Sequence, residues 1–169
     1  MGIINFIKEA GEKLFGGAAT PAAAAEPAAA PADPAANLAE LNQKAGDAIA
    51  AYIRSQGLDA ENLGVTYDGV SHTVTVTGNA ADQPTKEKIL VAAGNVQNVD
   101  KVDDQMTVTN PAPEAQHHTV VSGDNLWKIA EKYYGSGAKN DAIFQANTPM
   151  LKSPDKIYPG QVLVIPPLQ

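Results

Sequence analysis

Apolar residues recur along this chain with two periods, and each predicts a different kind of element. Between residues 3 and 15, Ile3, Ile7, Ala10 and Leu14 fall at helical spacing with Phe6 beside them, while Lys8, Glu9, Glu12 and Lys13 take the other side. That pattern predicts an amphipathic helix with a neutral polar face. Leu38, Leu41, Ala45, Ala48, Ile49, Tyr52 and Ile53 form a second helical face, with Gly57 placed to stop it. Alternation follows: Val65 and Tyr67, then Val74 and Val76 among Thr73, Thr75 and Thr77, predict two strands joined through Asp68-Gly69. Helical spacing returns from Pro84 to Ala93, with Ile89, Leu90 and Ala93 inward and Gly94-Asn95 as the stop. Val102, Met106 and Val108 mark a last strand. Residues 37–109 thus read as a compact α+β domain in the order helix, strand, strand, helix, strand.

Two stretches interrupt these patterns. Of the nineteen residues 18–36, twelve are Ala and four are Pro (Pro21, Pro27, Pro31, Pro34). Proline at that frequency removes donors and restricts its neighbours, so a disordered tether between the N-terminal segment (1–17) and the domain is expected. Residues 110–116, with Asn110-Pro-Ala-Pro-Glu, read as a stiff connector. A second small domain is expected over 117–167. It starts with a strand from His118 and turns at Ser122-Gly123. Asp124 is placed to cap a helix with Leu126, Ile129, Ala130 and Tyr133 inward, and Gly135 ends that helix. A short helix from Asp141 to Ala146 follows, with Asn147 at its left-handed C-terminal position. Pro159-Gly160 then turns the chain into a closing strand, Gln161 to Ile165.

Composition narrows the function classes. The 169 residues carry a net charge of −7 and no Cys. The charge argues against non-specific nucleic-acid or anionic-membrane binding, which runs on Lys and Arg density. The missing Cys excludes disulfides and thiolate chemistry. Residues 1–116 hold a net −8 and residues 117–169 a net +1, so the front part attracts cations. The first residues lack the basic start and apolar core of a signal peptide, and a cytoplasmic monomer with no membrane span is expected. Without H-E-x-x-H, G-x-S-x-G or a phosphate-binding glycine loop, no enzyme is expected.

The C-terminal anchors Thr119-Val120, Ser122-Gly123-Asp124, Leu126, Ile129-Ala130, Asn147 and Ile157-Tyr158-Pro159-Gly160-Gln161 resemble a LysM domain. The resemblance implies a βααβ fold. It also implies a groove for N-acetylglucosamine-containing glycans such as peptidoglycan, formed by Gly123, Asp124, Asn125 and Leu126 facing Asp155, Lys156, Ile157 and Tyr158. The runs Val74-Thr-Val-Thr-Gly78, Lys86-Glu-Lys-Ile-Leu90 and Val99 to Val108 resemble a BON domain (αββαβ). Joined to a terminal LysM unit and a Met-Gly-(apolar)-Asn-Phe start, they resemble the cytoplasmic BON–LysM potassium-binding family.

That family resemblance implies K+ as the bound ion and an ion-sensing role. A helix C-terminus offers unpaired carbonyls, which suit a large, weakly hydrated cation. Residues 94–99 supply such a turn, and the segment from Ile7 to Glu12 could supply further carbonyls if its apolar stripe packs beside it. The resemblance points to the backbone carbonyls of Ile7, Ala10, Glu12, Gly94, Val96 and Val99. K+ would then bridge the N-terminal segment and the BON domain, ordering and compacting the protein. The alternative is a glycan-binding accessory protein of the cell envelope, and an unidentified protein partner is a third possibility. Asp100, Asp103 and Asp104 read as a solvated edge rather than a Ca2+ or Mg2+ site, since strand neighbours point to opposite faces. His117-His118 read as part of the connector, and Trp127 as core or groove wall.

Overall fold

The computed structural model describes residues 2–5 and 34–168. Its elements run β1 (Gly2–Asn5), α1 (Pro34–Ser55), β2 (Glu61–Asp68), β3 (Thr73–Asp82), α2 (Gln83–Gly94), β4 (Lys101–Asn110), β5 (Gln116–Thr119), α3 (Leu126–Tyr134), a 3-10 turn (Gly137–Lys139), α4 (Asn140–Ala146) and β6 (Val162–Ile165). The α+β class and the αββαβ-then-βααβ order expected from the sequence are both present.

Helix α1 begins inside the stretch expected to be tether. Pro34 suits a first turn because its missing N–H has no partner there anyway, and Ala35-Ala36 are strong helix formers. Residues 18–33 of that tether lie outside the described residues. The apolar face of α1 is buried at Ile49, Ala50 and Ile53, whereas Leu38 and Leu41 are exposed. The helix crosses β2 at Gly46, where an added Cβ would come 2.7 Å from the Val65 carbonyl oxygen. Gly57, at φ 70°, turns the chain away after the helix.

The BON sheet has the order β1-β4-β3-β2. Strands β2 and β3 form an antiparallel hairpin, β3 and β4 pair in parallel across α2, and β1 lies antiparallel to β4. The helix predicted from residue 3 is therefore corrected at its start: Ile3 and Ile4 lie in β1. Two adjacent β-branched residues beside an open strand edge favour pairing over a helical turn. Residues 6–15 lie outside the described residues.

Asp82 caps α2 by accepting from the Thr85 N–H at 2.8 Å. Only part of this helix was expected inward, yet it is buried on nearly every side, from Lys86 and Glu87 through Ile89 to Gly94. One face packs on Val74, Val76 and Val102 of the sheet, and β6 of the second domain covers the other. The acidic run is corrected too. Asp104 is buried, with its Oδ2 2.8 Å from Lys86 Nζ, whereas Asp100 and Asp103 stay partly exposed beside His72 and Gln105.

Strands β5 and β6 pair antiparallel, with His117 opposite Val164 and Thr119 opposite Val162. Alternation along β6 serves two cores. Leu163 and Ile165 join Leu126, Ile129 and Ile143 in the LysM core, while Val162 and Val164 join the BON core. The histidine pair belongs to β5, not to the connector. The cap of α3 is Asn125, whose Oδ1 accepts from Lys128 N at 2.8 Å, rather than Asp124. Asn147 is not left-handed, since its φ is −103°. Trp127 is not core: it is 52 % exposed, with Gly137 so close that a Cβ there would enter the indole ring.

Candidate functional site

Gly94, Val96 and Val99 come together in the single turn that joins α2 to β4. Peptide planarity fixes two of the three carbonyls. Asn95 N–H donates back along the helix to Val91 O at 3.0 Å, so the Gly94 carbonyl in the same peptide plane points away from the helix end. Asp100 N–H donates to His72 O at 2.8 Å, which turns the Val99 carbonyl away from the β2–β3 connection. The Val96 carbonyl accepts Val99 N–H at 3.2 Å and keeps its second lone pair. Among the described residues, no hydrogen bond reaches the Gly94 or Val99 oxygen.

Three neighbours hold this turn. Tyr67 OH donates to Asn98 O at 2.9 Å, and Asn98 has a φ of 65°, a conformation that Asn tolerates better than most residues. His72 Nδ1 lies 3.2 Å from Asp100 Oδ2. On the third side Asn95, 4 % exposed, places its amide against Val162 of β6: Nδ2 donates to Val162 O and Val162 N donates to Oδ1, both at 3.0 Å.

Strand β1 ends at Asn5, opposite Lys101, so its C-terminal end lies against the end of the turn. Beside the turn is a largely apolar cavity of about 330 Å³, walled by Ile49, Tyr52, Tyr67 and Val96. Ile7, Ala10 and Glu12 lie outside the described residues. Among the described residues no group of three His, Asp or Glu side chains could hold a metal ion, and Asp100, Asp103 and Asp104 do not form one.

The residues expected to read a glycan lie in the turn from β5 into α3 and in the loop before β6. Gly123 has a φ of 89° and turns the chain, while Leu126 is 3 % exposed and serves the core. Asp124 Oδ2 accepts from Val121 N at 3.0 Å and lies 2.8 Å from His118 Nε2. Burial pushes the Asp124 carboxyl up, but these bonds outweigh it and hold the carboxyl below its usual range. Asn125 caps α3. Across from them Asp155 and Lys156 are exposed, Tyr158 is half-buried, and Ile157 packs against the same core as Leu126. The two loops are tied by Gly160 N to Val120 O and Val120 N to Gln161 O, both 2.8 Å.

Asn95 as a tie to the second domain was not foreseen. Its partner is sixty-seven residues away, so nothing local marks it. The one available signal was its position at a helix end, where Asn is common for other reasons.

Residues 37–110 match the BON domain family and residues 118–166 the LysM domain family. Over 168 residues the chain is 42 % identical to the potassium binding protein Kbp of Escherichia coli O6:H1, covering 98 % of this chain and 99 % of that one. Over 49 residues it is 45 % identical to SpoIVD-associated factor A of Bacillus subtilis, a match to 29 % of this chain and 12 % of that protein.

Proposed function

Because the chain belongs to the BON–LysM family that includes the Escherichia coli potassium binding protein, we propose that it binds K+ selectively in the cytoplasm and reports its level. In this reading the ion is held by backbone carbonyls of Gly94, Val96 and Val99 together with those of Ile7, Ala10 and Glu12. The observation that carries the reading is the orientation of the turn: peptide-plane hydrogen bonds leave the Gly94 and Val99 oxygens unengaged at the negative end of α2. K+ gives up its water to such oxygens readily, because it is large and singly charged.

The N-terminal segment enters through β1, whose end abuts the turn, and its apolar stripe has the adjoining cavity to fill. Binding would then bridge segment and turn, with the ion favouring the ordered, compact state only by its higher affinity for it. The net −8 of residues 1–116 concentrates cations near the site.

Isothermal titration of ion-stripped protein with KCl, against NaCl at matched ionic strength, tests this directly. A saturable heat is expected with K+ and none with Na+. Gly94→Val, which forces a branched side chain into a buried helix end, should weaken K+ binding about tenfold, the effect of about 1.4 kcal/mol. Asp103→Asn should leave it unchanged, since that carboxylate is occupied by Gln105. Equal losses in the two variants would replace the carbonyl site with a carboxylate one. No saturation with K+ would end the reading and make N-acetylglucosamine oligomers the next ligand to titrate against the LysM domain.

A further inference from the structure

We propose that Asn95 is the positioning residue that sets ion-size discrimination at the turn, by fastening the turn to the LysM domain; the proposal rests on the K+ reading above. Asn95 lies between Gly94 and Val96: its N–H shares a peptide plane with the Gly94 carbonyl, and its own carbonyl shares the next plane with Val96 N–H. Rotating the Gly94–Asn95 plane moves the Asn95 backbone, and its amide is bound to Val162 through both of its polar atoms. Its Nδ2 also lies 3.2 Å from Met150 Sδ.

Releasing that contact would strand the N–H and C=O of Val162, which is 1 % exposed, so the tie resists stretching. The far half of the turn is held separately, by Tyr67 on Asn98 and by His72 on Asp100 N–H. Among the described residues, the Asn95 side chain is the hydrogen-bonded link between the turn and the LysM domain.

A ring of carbonyls that can contract accepts a smaller ion. One restrained from outside keeps its spacing and favours the larger ion. Fastening the near half of the turn to a second folded domain supplies that restraint. The chain also contains an internal control: Asn147 makes the same paired contact with Val164 on the same strand, at 2.8 Å in both bonds, from within the LysM domain and away from the turn.

The test uses full-length protein in four forms: wild type, Asn95→Ala, Val162→Pro and Asn147→Ala. Kd is measured for K+ by titration and for Na+ by competition, with Trp127 fluorescence verifying that the LysM domain stays folded. Val162→Pro removes the strand N–H that Asn95 accepts while leaving every residue of the turn in place, and it decides the matter alone if Asn95→Ala does not fold. The K+ over Na+ preference should fall about tenfold in Asn95→Ala, a coupling of ordinary size, and in the same direction in Val162→Pro. In folded Asn147→Ala it should stay within about twofold of wild type, the spread expected between uncoupled sites. An unchanged preference in the first two variants overturns the proposal, as does an equal fall in all three. Absence of K+ binding by the wild type would instead overturn the K+ reading.

Discussion

Lys86 and Asp104 meet where water hardly reaches: their side chains are 11 % and 12 % exposed, and Nζ lies 2.8 Å from Oδ2. Each has a further partner, since Lys86 Nζ also donates to Met106 O at 3.0 Å and Asp104 Oδ1 accepts from Met106 N at 3.0 Å. A buried pair satisfied in this way adds little net stability, but losing one partner leaves an uncompensated charge. Lys86→Met should therefore cost about 3 kcal/mol or more in urea unfolding, while Lys86→Met with Asp104→Leu should recover much of that loss. If the double variant were as unstable as the single one, the pair would be a structural necessity rather than a replaceable charge couple. The sequence concealed this pair because Asp103 and Asp104 look alike. Only the direction of the strand decides which one enters the core.

Strand β5 sends its two histidines to opposite sides. His118 lies 3.2 Å from Tyr133 OH and 2.8 Å from Asp124 within the LysM domain. His117 faces the BON domain, and its Nε2 is buried with no hydrogen-bond partner among the described residues. Burial pushes the His117 imidazole below its ordinary range, partly countered by Glu87 and Glu114. The unfolded chain therefore takes up the proton first as pH falls, and stability should drop as pH moves down through about 6.5. Asp124, held low, adds a second loss only below about pH 3.9, where an unfolded Asp becomes protonated. Thermal melts from pH 8 to 5 should show the His117 slope, and His117→Gln should flatten it; an unchanged slope would assign the effect elsewhere. At this scale the sequence was a good guide wherever one face of an element meets one core. Helices α1 and α3 and the β2–β3 hairpin announce themselves through apolar spacing, Gly57 and Gly135. It misled at β1, four residues too short to show alternation, and at the α3 cap, where Asp124 and Asn125 are adjacent and chemically equivalent candidates.

The two domains share more than a connector. Helix α2 is buried on nearly every side because β6 supplies a second packing surface, and Glu87 Oε1, which accepts Gln83 Nε2 of the same helix at 3.0 Å, also accepts Ala115 N from the segment leading to β5 at 2.7 Å. The family-level architecture was legible from motifs, since each domain's anchors lie close together in sequence. The seam was not, because it is made of contacts between residues far apart in the chain. The candidate turn was half legible: the helix stop at Gly94 marks where carbonyls are left over, but which of them stay unengaged depends on His72 and Val91.

The paired asparagines have a consequence for the LysM domain on its own. Asn95 and Asn147 occupy the side of β6 that β5 leaves open, as a neighbouring strand would. Half of that cover comes from the BON domain, as does the cover over Val162, Val164 and Ala115. A LysM fragment expressed alone would present a short bare strand margin beside an apolar patch, the combination that invites edge-to-edge association. Such a fragment should self-associate in sedimentation experiments at concentrations where the full chain stays dispersed, and adding the separate BON domain should reverse it. A fragment that remains monomeric would mean that β6 protects its own margin. In the intact protein the BON domain thus acts as a built-in guard against aggregation for its neighbour.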